Sequence, residues 1–176
     1  MERKTITIFG SSLPKEGEDE FIFAYNLGKQ LAQNNFNVCT GGYRGIMHAA
    51  SKGAREGGGE AIGITVDLWS AKPSEYLSKE IICKTLSERI EKLIETGDGF
   101  VILQGGTGTL LELAFVWEMT NKSLITPKPI TCHSKMWAQI VSVMDKQIEK
   151  EKRATGLVKP YNSIGEIVKF LTSSLT

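Results

Sequence analysis

Short runs rich in β-branched and aromatic residues alternate with segments of helical periodicity along the whole chain. This alternation is typical of βαβ units, and it predicts an α/β fold in which a three-layer, doubly wound parallel sheet is covered by helices on both faces. We expect one domain over residues 1–176. The predicted strands are Thr5–Phe9, Asn37–Thr40, Ala61–Thr65, Ile81–Lys84, Phe100–Leu103 and a short edge strand near Ile130, framed by Pro127 and Pro129. The predicted helices are Asp19–Asn34, Ile46–Glu56, Ser87–Glu95, Thr109–Met119, Met136–Lys150 and Ser163–Leu175.

Composition excludes several classes of function. The chain has 176 residues and a net charge of +1, which does not favour binding to nucleic acid or to acidic lipid. No apolar stretch approaches the length of a membrane span, and the N-terminal apolar run is too short for a signal peptide. Cys39, Cys83 and Cys132 form no close pair and are typical of buried thiols in a reducing compartment. We therefore expect a cytoplasmic protein with no membrane and no nucleic-acid partner.

Three predicted strands end in loops of small residues. These loops are Gly10–Ser12, Gly41–Gly42 and Gly105–Thr109. Because the carboxyl ends of parallel strands share one edge of a sheet, we expect all three loops on the same rim. Open α/β sheets bind their ligands at this rim, where the strand order reverses.

The Gly105–Thr109 loop is the most informative of the three. Glycine lets a backbone approach a phosphate closely, and the free N–H groups at a helix start attract an anion. The P-loop pattern fails because no Lys-Ser/Thr pair follows the last glycine, and Leu111 stands where a dinucleotide fingerprint needs its third glycine. The loop therefore indicates a monophosphate. The alternative is that the glycines, those near Gly41 above all, only permit tight turns.

The helix after this loop is apolar around nearly its whole circumference, apart from Glu112 and Glu118. A helix buried on most sides in a small protein predicts a subunit interface, hence a homodimer. Glu112 has two interpretations. It is either a functional carboxylate or the second half of a capping box that begins at Thr109, in a first turn where the helix dipole favours an anion.

Arg89 is unusual for its position. The pattern Thr85-x-x-Glu88 is a capping box, so Arg89 falls in the first turn of a helix, where a cation opposes the dipole. It also borders the apolar stripe of that helix, which we expect to contain Leu86, Ile90, Leu93 and Ile94. A cation in this place predicts an anionic partner at the rim. The alternative is a surface pair with Glu88 or Glu91.

These residues resemble a known family, the LOG family of cytokinin riboside 5′-monophosphate phosphoribohydrolases, long labelled "possible lysine decarboxylase". The family signature Pro-Gly-Gly-x-Gly-Thr-x-x-Glu reads Gln104-Gly105-Gly106-Thr107-Gly108-Thr109-Leu110-Leu111-Glu112 here. The segment Thr40–Ile64 is similar to the family's Gly-Gly-x-x-Gly-Leu-Met region, and Arg89 is placed as the family's arginine is. Three departures stand out, since Gln104 replaces a proline, Ile90 a lysine and Leu111 a glutamate.

The resemblance implies a Rossmann-like homodimer that hydrolyses the N-glycosidic bond of a nucleoside 5′-monophosphate, such as AMP, to a free base and ribose 5-phosphate. It implies that Arg89 and Glu112 are the catalytic pair. The phosphate would bind to the Gly105–Thr109 loop, with Ser11 and Ser12 near the phosphate or sugar. The base would lie toward Met47 and the Gly41–Gly45 loop. The residues implied to bind the nucleotide are Ser11, Ser12, Gly41, Gly42, Met47, Arg89, Gly105, Gly106, Thr107, Gly108 and Thr109.

Two other functions compete with this hydrolase. One is a non-catalytic carrier of a nucleotide or of the molybdenum cofactor on the same fold, and the other is a nucleotide-responsive protein whose dimer signals through a partner. The residues give no support to a lysine decarboxylase. His48 and His133 lie near no Cys/His cluster, so we expect no metal site and no resident cofactor.

Overall fold

The computed structural model describes residues 3–68 and 70–175. Strands and helices alternate as predicted, apart from the third and fourth strands, which follow each other directly. In chain order they are β1 Lys4–Phe9, α1 Asp19–Gln33, β2 Phe36–Thr40, α2 Ile46–Glu56, β3 Ala61–Val66, β4 Lys79–Cys83, α3 Leu86–Thr96, β5 Gly99–Ile102, α4 Thr107–Asn121, β6 Ile130–Cys132, α5 Lys135–Lys150, β7 Val158–Pro160 and α6 Ile164–Leu175.

The strands form a seven-stranded sheet in the order β4-β3-β2-β1-β5-β6-β7, and every pairing is parallel. The chain winds outward from β1 to β4, returns to β5 beside β1, and winds outward again to β7. The predicted doubly wound α/β fold is therefore confirmed, with its switch point between β1 and β5.

The period of two along the strands divides the core into two layers. Ile6, Ile8 and Val38 face a layer formed with α1, α2 and α6, whereas Phe9 and Cys39 face a layer formed with α3, α4 and α5. Both faces of the sheet are thus covered. Cys39, Cys83 and Cys132 are free buried thiols, as predicted. Within the described residues, no helix is both long enough and apolar enough to cross a membrane.

The predicted rim is confirmed. The pairing Phe9↔Ile102 aligns the ends of β1 and β5, and Thr7↔Cys39 aligns β1 with β2. The loops that follow are joined by backbone hydrogen bonds, because the Ser11 N–H donates to Gln104 O at 2.8 Å and its carbonyl accepts from the Ile46 N–H at 2.9 Å.

The sheet edge differs from the prediction. The strand near Ile130 is not an edge strand, because β7 pairs outside it in the register Ile130↔Val158 and Cys132↔Pro160. Three residues are too few to show an alternating pattern, so β7 was missed. The proline that fits an edge position is Pro160, whose missing N–H is tolerated there.

Candidate active site

A cavity of about 850 Å³ opens at the carboxyl ends of the central strands. Residues from the first loop, the second loop and the start of α4 line it together, as the topology requires. Those predicted from the sequence are Ser11, Ser12, Met47, Arg89, Gly106, Thr107, Gly108, Thr109 and Glu112.

Arg89 lies inside this rim and is only 5% exposed. Its Nε donates to Ile64 O at 2.7 Å and its Nη2 donates to Gly41 O at 3.0 Å. The guanidinium therefore bridges the ends of β3 and β2. This burial rules out the surface-pair alternative. The expected apolar stripe of α3 is buried at Ile90, Leu93 and Ile94, but Leu86 is 39% exposed.

Helix α3 holds Arg89 in place through its own cap. Thr85 Oγ1 accepts from the Glu88 N–H at 3.1 Å, and Glu88 Oε2 accepts from the Lys84 N–H at 2.7 Å. The predicted capping box is thus present, with the glutamate reaching one residue further back than expected. Because the start of the helix is capped, the backbone position from which the Arg89 side chain extends is fixed.

Glu112 faces Arg89 across the cavity wall. Its Oε1 lies 3.8 Å from Arg89 Nη1, and its side chain is only 14% exposed. Burial raises the pKa of the Glu112 carboxyl from 4.5 to about 7, and the positive charge of Arg89 acts in the opposite direction. A carboxyl with a pKa near neutrality can accept or donate a proton at physiological pH, as a general base or acid must.

The capping interpretation of Glu112 is wrong. Helix α4 begins at Thr107, two residues before the predicted start, and its N-cap is Gly106, which has no side-chain hydrogen bond. Thr109 therefore lies within the first turn and Glu112 in the second. The dipole effect is strongest in the first turn, so it does not explain this carboxylate.

The start of α4 is open toward the cavity. Gly106, Thr107 and Gly108 are exposed and line it, and no side chain caps the N–H groups of the first turn. Such a helix start is a natural site for an anion. Thr109 is buried at 4% exposure and packs close to Gly105, where a Cβ would overlap its side chain.

Three predicted binding residues do not line the cavity. Gly41 lies behind Arg89, which would collide with any Cβ at this position. Gly42 has a φ of +79° and packs against Thr65 and Gly63, so it provides the turn after β2. Gly105 supports Thr109. All three shape the wall from behind.

Other cavity residues were not named individually by sequence reasoning, although the Gly41–Gly45 loop was expected near the base. Tyr43 and Arg44 come from the second loop, and Ser70, Ala71 and Lys72 come from the segment between β3 and β4. Arg44 and Lys72 are exposed, and neither forms an ion pair with a carboxylate among the described residues. These residues come from segments distant in the sequence and meet only in the folded protein. No local sequence pattern could therefore have identified them as cavity residues.

The parallel sheet, its switch point and the glycine-rich rim define a Rossmann-like protein. The chain belongs to the SLOG cluster4 family, which it matches over residues 3–162. The resemblance to the LOG family seen in the sequence is confirmed by its curated relatives.

One relative is the pyrimidine/purine nucleotide 5′-monophosphate nucleosidase of Escherichia coli K12, which is 32% identical over 127 residues. These residues cover 65% of this chain but only 28% of that enzyme, so the chain spans about a quarter of its length. A probable cytokinin riboside 5′-monophosphate phosphoribohydrolase of Oryza sativa subsp. japonica is 26% identical, over 97% of this chain and 77% of the relative.

Solved structures show the same fold. The molybdenum cofactor binding protein of Rippkaea orientalis superposes with a TM-score of 0.81 over 100% of this chain and 99% of its own, at 22% identity. The molybdenum cofactor carrier protein of Chlamydomonas reinhardtii superposes with a TM-score of 0.78 over 98% of both chains, at 23% identity. At these identities the likeness concerns the fold alone.

Proposed function

We propose that residues 1–176 form one LOG-like domain that hydrolyses the N-glycosidic bond of a nucleoside 5′-monophosphate, releasing a free base and ribose 5-phosphate. The observation that carries this proposal is the pair of Arg89 and Glu112, 3.8 Å apart and largely buried beside the open start of α4. A helix start suited to an anion and a carboxyl with a pKa near neutrality thus line one cavity, which supports the proposal. The names of the curated relatives support the same reaction.

In this proposal the 5′-phosphate binds to the first-turn N–H groups of α4 and to the hydroxyl of Thr107. The exposed cations Arg44 and Lys72 add electrostatic attraction for the dianion. Ser11 and Ser12 lie on the adjoining loop, within reach of phosphate or sugar, and Met47 provides an apolar surface for the base.

Cleavage of the N-glycosidic bond leaves the bonding electron pair on the base nitrogen and develops positive charge on the ribose, as in glycoside hydrolysis. Ionised Glu112 stabilises that charge and accepts a proton from the attacking water, whose oxygen bonds to the anomeric carbon. The departing base takes up a proton from solvent, and Glu112 returns the proton of the water to solvent, which restores the ionised carboxylate for the next turnover. The positive charge of Arg89 favours the ionised form of Glu112 and partly offsets the effect of burial.

Incubation of the pure protein with AMP tests this proposal. We expect free adenine and ribose 5-phosphate in equal amounts, measured by chromatography. CMP and GMP, assayed in parallel, define the preferred base. A protein that binds these nucleotides but releases no base would overturn the hydrolase proposal.

A carrier function is the second candidate. Gln104 and Ile90 replace the proline and lysine of the LOG pattern, which removes one rigid residue from the loop and one cation beside Arg89. Both changes favour retention of a phosphate-bearing ligand without turnover. The same incubation separates the candidates, because a carrier would return its nucleotide intact after denaturation.

We also propose that the protein is a cytoplasmic homodimer. Helix α4 exposes Leu110 and Leu111 at 41% and 45%, and Leu124 beyond its end is 65% exposed. A second copy would cover these side chains. Light scattering should therefore give twice the chain mass, and Leu111→Lys should reduce it. Val143→Lys, at an exposed apolar residue of α5, is the control that should leave the mass unchanged.

A further inference from the structure

Tyr43 has an unusual place at the end of β3. The side chain is 6% exposed although the residue belongs to the loop after β2. Its hydroxyl donates to Val66 O at 2.9 Å and accepts from the Val66 N–H at 2.9 Å. One side chain thus satisfies both backbone groups of the last residue of β3.

This arrangement fills a gap in the sheet. Strand β2 pairs with β3 as far as Thr40↔Gly63, and the positive φ of Gly42 then turns the chain away. Beyond that point Arg89 Nε donates a hydrogen bond to the carbonyl of Ile64, and the Tyr43 hydroxyl bonds to both the N–H and the carbonyl of Val66. The two side chains therefore replace the strand that has ended, since buried backbone groups need partners.

The aromatic ring of Tyr43 also contacts Arg89. The centre of the Arg89 guanidinium lies 5.7 Å from the ring centroid, within the range of a cation–π interaction. The ring therefore supports the same guanidinium whose Nη1 lies 3.8 Å from Glu112. The hydrogen bonds of the hydroxyl fix the position of the ring. The ring in turn contacts a guanidinium that is also bonded to Ile64 O and Gly41 O.

We propose that Tyr43 is a positioning residue that sets the distance between Arg89 and Glu112, a role that rests on the proposed function of this pair. Arg89 is the charged group that counteracts the burial of Glu112. Arg44 and Lys72 line the same cavity but are exposed to solvent, which screens their charges. A retreat of Arg89 should therefore raise the pKa of Glu112 and move the onset of turnover to higher pH.

Two variants separate the ring from the hydroxyl. Tyr43→Leu removes both, and Tyr43→Phe keeps the ring but leaves it unanchored. Thr131→Val is the matched control, because it removes one partly buried hydrogen bond, from Thr131 Oγ1 to Lys159 O, in another part of the sheet. The pKa of Glu112 is measured by carbon-13 NMR of its carboxyl carbon, assigned with Glu112→Gln. Base release from AMP is measured over the same pH range.

All three variants should lower the thermal midpoint. Only the Tyr43 variants should raise the pKa of Glu112, by about one unit in Tyr43→Leu and by less in Tyr43→Phe, and the acidic limb of turnover should move equally. Tyr43→Phe carries the test alone if Tyr43→Leu does not fold. A pKa equal to that of the Thr131→Val control in the folded Tyr43 variants would overturn the inference. If wild type releases no base but the pKa still rises, the positioning role stands and only the proposed reaction fails.

Discussion

Helices α3 and α4 both begin at the rim of the sheet, but their first turns are opposites. In α3, Thr85 and Glu88 accept hydrogen bonds from backbone N–H groups, so the helix satisfies its own start. In α4, the N-cap is Gly106 and no side chain performs this task. The comparison shows how one fold uses the same element twice, once to hold the side chain of Arg89 and once to leave backbone donors available to a ligand.

Each helix also carries a glutamate near its start, and the two differ in the same way. Glu88 is exposed and its carboxylate bonds to the backbone, whereas Glu112 is largely buried and faces Arg89. A carboxylate that is hydrogen-bonded within a helix cap contributes to the stability of the fold. A carboxylate whose pKa is raised to about 7 by burial is available for proton transfer.

The largest expected effect comes from neutralising these two glutamates separately. Glu112→Gln should reduce base release from AMP by about a hundredfold or more, because it removes the charge that stabilises the developing cation. Binding of AMP should persist, since the backbone donors of α4 are untouched. Glu88→Gln keeps a capping side chain and should leave turnover near the wild-type value. Equal turnover in wild type and Glu112→Gln would remove Glu112 from the mechanism.

The sequence predicted the architecture well because strands and helices each leave a periodic pattern of apolar residues. Helix α2 has the predicted bounds, and the three loops lie on one rim because parallel strands allow nothing else. The short strand β7 was missed because three residues carry no period.

Only those parts of the candidate site that are formed by residues close together in the sequence could be predicted from sequence patterns. The meeting of Arg89 and Glu112 could be expected once the family resemblance placed both at one rim. The start of α4 was misplaced because Thr109-x-x-Glu112 imitates a capping box, while the actual N-cap, Gly106, has no side chain to mark it. Tyr43 and Lys72 lie at the cavity because of the conformations of their loops, and these conformations depend on contacts between residues distant in the sequence.

The second prediction compares the glutamates by stability. The folded protein holds the Glu112 proton more tightly than the unfolded chain does, because the pKa of its carboxyl rises from 4.5 to about 7 on folding. This contribution is fully present below pH 4.5 and is lost as the pH rises through about 7. Glu112→Gln, which cannot ionise, should therefore be more stable than wild type at pH 8, by about 1–3 kcal/mol, and nearly equal to it at pH 4.

Urea denaturation at the two pH values measures this difference in the free energy of unfolding. Glu88→Gln is again the control, because its exposed side chain should show no such gain on passing from pH 4 to pH 8. A Glu112→Gln variant that is less stable than wild type at pH 8 would indicate that its interaction with Arg89 outweighs the cost of burying the charge.

The third and smallest effect comes from giving α4 the kind of cap that α3 has. A Cβ at Gly106 meets open space, so Gly106→Asp fits and its carboxylate can accept from the first-turn N–H groups. Stability should rise by only about 0.2–0.5 kcal/mol, because glycine is itself a fair N-cap residue. The affinity for AMP should fall by about tenfold, since the carboxylate takes the donors and repels the phosphate.

Two controls decide what this result means. Gly106→Ala adds the Cβ without an acceptor and should bind AMP nearly as wild type does. Thr85→Ala removes the cap of α3 and should lower stability by about 1 kcal/mol without weakening AMP binding. Isothermal titration calorimetry and urea denaturation measure both quantities. If Gly106→Asp is stabilised and still binds AMP with wild-type affinity, the phosphate does not sit at the start of α4, and the exposed cations Arg44 and Lys72 become the groups that hold it.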